Sequence, residues 1–135
     1  MTAFNTVNNF STDLLLGNHI VGTHTFKVML TNVAPTTATA VIGDITEIAA
    51  GNGYTAGGAT TTVTKSLTGA VTKVLASDVV VTATGAIGPF QYEVLVNATT
   101  SKVIGWTDHG SAVTMANLDT HTIDFDAAAG VVTVG

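Results

Sequence analysis

Four histidines, His19, His24, His109 and His121, are the side chains of this sequence best suited to proton transfer or metal ligation, and Asp108, Asp119, Asp124 and Asp126 flank the last two. Ser111 beside His109 and Asp108 has the residue types of a hydrolytic triad. A triad relays hydrogen bonds from Asp to His to Ser across separate elements, and neighbours on one tight turn lack that geometry. Asp119, His121, Asp124 and Asp126 offer a second possibility, a bound cation, with Asp124 and Asp126 alternating onto one strand face. Calcium sites draw on a looped, glycine-containing acidic run with more oxygen ligands, and carboxylates next to turns are ordinarily solvated. The four therefore read as a polar strand face. No catalytic, cofactor-binding or metal-ligating residue is assigned, no cofactor is expected, and the chain reads as a non-enzyme.

Three other features invite a functional reading and have simpler ones. Gly51-Asn52-Gly53-Tyr54-Thr55-Ala56-Gly57-Gly58 is glycine-rich but lacks the Lys and Ser/Thr of a phosphate-cradling loop, so it reads as turn geometry. Trp106, Tyr92, Phe90 and Tyr54 could line a sugar site, but aromatics are only 6% of the chain, so these scarce large groups are expected in the core. Asn97-Ala98-Thr99 matches a glycosylation sequon, a signal that means something only on an exported protein.

The elements that must hold these residues are mostly strands. Val7, Phe10 and Leu14 form an apolar stripe that predicts a helix over residues 5–17, ended by Gly17; with poor helix formers around it, this helix needs something to dock on. It makes residues 1–20 a helical arm ahead of a β body spanning 25–135. Residues 25–32 alternate as a strand, with Phe26, Val28 and Leu30 on one face. Asp44 and Glu47 have the spacing of a capping box and predict one short helical turn. Tyr54 is expected to bury its ring with its hydroxyl paired, while Gly51, Asn52 and Gly53 accept positive φ. Residues 60–67 read as one strand with a hydroxylic face, suited to an edge or an assembly surface.

Further strands are expected at 70–76, 79–84, 90–97, 103–107, 112–115, 120–125 and 131–134, with a hairpin across 90–107 and a turn at His109-Gly110. Short strands punctuated this often predict a mainly β protein, an antiparallel β-sandwich or barrel with a short N-terminal helix, in a single domain.

Composition narrows the partners. Net charge is −5 with four Lys and no Arg, which excludes phosphate-backbone binding and hence nucleic acid. The N-terminal residues lack the pattern of a secretory signal, and no apolar run approaches a membrane span, so no membrane association is expected. There is no cysteine, so disulfides and thiolate sites are excluded. Charged residues are 10% of the chain, against about 25% in an ordinary domain. A neutral, Thr-rich, strand-forming surface is poorly defended against edge-to-edge pairing. Much of it is therefore expected to be covered by other subunits.

Thr25-Phe26-Lys27-Val28-Met29-Leu30-Thr31-Asn32 with Ala34-Pro35, then Asp44-Ile45-Thr46-Glu47-Ile48 and the Gly51–Gly58 stretch, resemble a family of small structural proteins of tailed bacteriophages. Thr82-Ala83-Thr84-Gly85, Ile87-Gly88-Pro89-Phe90, Ile104-Gly105-Trp106 and Ile123-Asp124-Phe125-Asp126 fit the same family in the same order. The resemblance implies a virion component without enzymatic activity, in a family labelled both head decoration and tail fibre. With the small, acidic, charge-poor β domain it implies a capsid decoration or cement protein, made in the host cytoplasm and carried on the capsid surface. Its partners would be the major capsid protein and copies of itself, in a homo-oligomer such as a trimer. The alternative is a tail-fibre or receptor-binding tail component.

Overall fold

Phe26, Val28 and Leu30 do form the inward face of a strand, and Met29 and Thr31 on its other face are buried as well, which marks a strand covered on both sides. The structure is a computed structural model describing residues 3–134; Met1 and Thr2 of the expected arm, and Gly135, lie outside the described residues. In chain order the strands are β1 (Phe4–Thr6), β2 (Phe26–Thr31), β3 (Ala59–Thr61), β4 (Val63–Thr68), β5 (Val71–Ala76), β6 (Val79–Thr82), β7 (Ile87–Asn97), β8 (Lys102–Met115), β9 (Thr120–Ile123) and β10 (Val132–Val134), with a helix α1 (Phe10–Leu15) after β1.

All strand pairs are antiparallel. The main sheet has the order β1-β8-β7-β2-β3, and two smaller sheets have the orders β10-β5-β4 and β6-β9. Since β1 and β3 are the two edges of the main sheet, it does not close, and the fold is sandwich-like rather than a barrel. Val28, Leu30, Val94, Leu95, Val96 and Val103 at its centre are at most 1% exposed, and each contributes about 1.5–3 kcal/mol by leaving water. Val79, Val81 and Ile123 of the β6–β9 sheet belong to the same apolar cluster.

The head differs from its sequence reading. Phe4, Asn5 and Thr6 pair with Thr107, Trp106 and Gly105, so the expected helix over 5–17 shrinks to six residues. Asn and Thr there are weak helix formers that gain more from the open edge of β8. Gly105 permits the approach: a Cβ at that position would lie 2.1 Å from the Asn5 carbonyl oxygen. The predicted stripe survives, with Val7 and Phe10 buried and Leu14 packed against the core. The first residues are thus a strand and a helical turn built into the body.

The corner also differs. A 3-10 turn, Ile42–Asp44, ends at Asp44 instead of starting there, and the Asp44 carboxylate accepts the N–H groups of Ala40 and Val41 at 3.3 and 3.4 Å. Glu47 caps nothing upstream; it turns towards Tyr54 and Gly57. The single strand expected over 60–67 breaks at Thr62, where the chain changes sheets. Thr62 and Ser77 are joined by Thr62 N–H to Ser77 Oγ and Ser77 N–H to Thr62 O, both 2.9 Å. Finally, His109-Gly110 is a bulge within β8 and does not separate two strands. Four residues, 109–112, bow out opposite Gln91, between the pairs Tyr92↔Asp108 and Phe90↔Val113.

Candidate functional site

β7 and β8 place Glu93 opposite Thr107 in the main sheet, and both side chains are buried, Glu93 at 5% exposure. An ionised carboxylate in that position requires partners. Thr107 Oγ1 donates to Glu93 Oε2, and His121 Nε2 lies 2.7 Å from Glu93 Oε1. His121 comes from β9, so this contact crosses from the main sheet to the β6–β9 sheet. The His121 ring is set by Phe90, edge-on at 5.2 Å between centroids. His109, two residues beyond Thr107 and on the bulge, brings its ring to 5.3 Å from that of His121 at 74°. Ligand-type atoms of Glu93, His109 and His121 all lie within 4.8 Å of one another. They line a solvent-open cleft of about 150 Å³ with Thr107, Thr122, Ile123 and Asp124.

Sequence reading weighed His109 and His121 separately and missed Glu93. The available signal was a carboxylate in a strand that continues as Val94-Leu95-Val96, within a chain so sparing of charge. The other acidic candidates are not brought to the cluster as ligands. Asp119 accepts Ala116 N–H at 2.8 Å, and Asp126 accepts Ala128 and Ala129 N–H at 2.8 and 2.9 Å; both close turns. β9 ends at Ile123, so Asp124 and Asp126 share no strand face. Asp108 accepts from Gln91 and from Gly110 N–H, which lower its pKa in that order, and Ser111 is exposed on the bulge. No hydrogen bond joins Asp108, His109 and Ser111 among the described residues.

The glycine-rich loop is occupied by the chain's own acid. Gly57 N–H donates to Glu47 Oε2 at 2.8 Å, and the Tyr54 hydroxyl donates to the same oxygen while accepting Leu30 N–H at 3.1 Å. Burial first, then the Glu47 contact, pushes the Tyr54 pKa well above its usual value near 10. Gly51, Asn52 and Gly53 all have positive φ, as expected. Trp106, Phe90 and Tyr54 are core residues, and Tyr92 is partly buried against the core cluster. Asn97 of the sequon is fully buried; its amide donates to Asn18 O at 2.9 Å and also contacts Nδ1 of His19 and His24.

The outer surface carries apolar groups that its own fold leaves uncovered. Leu15 and Leu16 at the end of α1 are 88% and 71% exposed. Leu15 borders a groove of about 470 Å³ formed with Phe10, Leu14 and residues of β10. The β4–β5 hairpin adds an edge, β4, on which Thr64 to Thr68 are all exposed, Leu67 among them. Among the described residues, no helix is long and apolar enough to cross a membrane. No family model, curated protein or solved structure matches this chain.

Proposed function

We propose that this protein is a structural component of a bacteriophage virion, a decoration protein that attaches to the major capsid protein and to its own copies and stabilises the shell. One observation carries the reading: a surface with few charges leaves two consecutive leucines open, the first of them bordering a groove. Leu15, which borders that groove beside β10, and the adjacent exposed Leu16 present apolar side chains of the kind that mark a protein contact. The exposed β4 edge, with its hydroxylic face, offers main-chain N–H and C=O groups to a neighbouring strand. The sequence resemblance to small virion proteins supports the same reading. No enzymatic step is part of it.

Quantitative mass spectrometry of purified particles tests the proposal. A copy number comparable to that of the shell subunit, lost on removing heads, is the expected result. A few copies that travel with isolated tails would assign the chain to a fibre instead. Its absence from both would overturn a virion role altogether.

A further inference from the structure

We propose that Glu93, His109 and His121 form a binding site for a divalent transition metal, with Zn²⁺ the fitting ion. The set is two imidazole nitrogens and one carboxylate oxygen, drawn from three strands, with ligand atoms mutually within 4.8 Å. Tetrahedral zinc with ligand bonds of about 2.0–2.1 Å puts ligand atoms roughly 3.3 Å apart. On binding, the proton shared across the 2.7 Å contact between His121 Nε2 and Glu93 Oε1 is released to solvent, the contact opens to ligand spacing, and the outermost ligand, His109, closes in. Calcium and magnesium require more oxygen ligands, and soft-metal sites draw on thiolate or thioether sulfur, which this cluster does not offer.

Two features separate this arrangement from a simple buried ion pair. The second oxygen of Glu93 is already held by the Thr107 hydroxyl, the outer-shell contact that orients a ligating carboxylate. His109 makes no hydrogen bond to Glu93 or His121, yet the bulge of β8 carries its ring to the mouth of the same cleft, where an ion can enter and retain water as a fourth ligand. The ion would tie β9 to β7 and β8 and so pin the two-stranded sheet to the main one.

The test is titration of the untagged full chain with ZnCl₂ by isothermal calorimetry in a non-coordinating buffer, repeated with Co²⁺ to read the visible absorption of a tetrahedral site. Saturable binding of one ion per chain is expected, with a rise in melting temperature. His109 is exposed, so His109→Ala should keep the far-UV circular dichroism of the parent while weakening binding by on the order of 100-fold, at least the loss typical of outer-shell changes. His24→Ala, at the other histidine pair, should leave binding unchanged. Absence of saturable binding would overturn the site. So would binding that survives both His109→Ala and His121→Ala, or that is lost only with His24→Ala.

Discussion

The hydroxyl of Tyr54 accepts the backbone N–H of Leu30 at 3.1 Å, tying a glycine-rich loop to the interior strand β2 from 24 residues away. Both residues are buried, Leu30 completely. Tyr54→Phe keeps the ring but leaves that N–H, and one oxygen of Glu47, without this partner. The expected cost is about 1–3 kcal/mol in the free energy of unfolding, measured by urea titration.

The same hydroxyl predicts a response to base. Its pKa is raised in the folded protein, so its contribution is complete below the usual value near 10 and is lost as the pH climbs beyond it, because the unfolded chain ionises first. Tyr54→Phe should flatten the alkaline limb of the stability profile. An equally steep limb in the variant would show that another group controls it.

His19 gives the opposite limb. Burial lowers its pKa below 6.5, more than Asp13 restores, while His24 and Lys102 lower it further. Its Nε2 and Asp13 Oδ2 are buried without hydrogen-bond partners. The unfolded chain takes up the proton first, so stability should be full above about 6.5 and fall on acidification. Comparing urea midpoints at about pH 7.5 and about pH 5.5 should show a smaller difference for His19→Gln than for the parent.

Glycines separate close approach from backbone conformation. At Gly58, φ is +98° and a Cβ would stand 2.2 Å from the Val28 carbonyl oxygen, whereas Gly69, at +61°, has nothing within 4 Å. Gly69→Ala should cost about 1–2 kcal/mol, for the left-handed conformation alone. Gly58→Ala must also displace the backbone of β2 and should cost clearly more, read as a larger fall in melting temperature.

Attachment and folding at the head can be tested apart. Leu15→Asp with Leu16→Asp changes two exposed side chains, so the melting temperature should hold while occupancy on purified particles falls. Phe10→Ala removes a ring that is 5% exposed and should destabilise the fold by about 3–5 kcal/mol. Removing residues 1–17 should likewise destabilise the body, since it strips β1 from β8. Unchanged occupancy in the double aspartate variant would exclude the α1 patch as the docking surface.

Period-two alternation, turn glycines and scarce aromatics were enough to specify an antiparallel β protein, the course of β2, the buried Tyr54 and the positive-φ loop, because each depends on local sterics and burial preference. Local pattern could not tell that Phe4–Thr6 would pair with β8, that the chain would change sheets at Thr62, or that His109-Gly110 would bow a strand without ending it. Those outcomes depend on which edge lies open after distant segments have paired. The Glu93, His109 and His121 cluster belongs to the same class. Glu93 and His121 are 28 positions apart and sit in different sheets, and only the packing of one layer on the other brings the carboxylate and the imidazole to 2.7 Å.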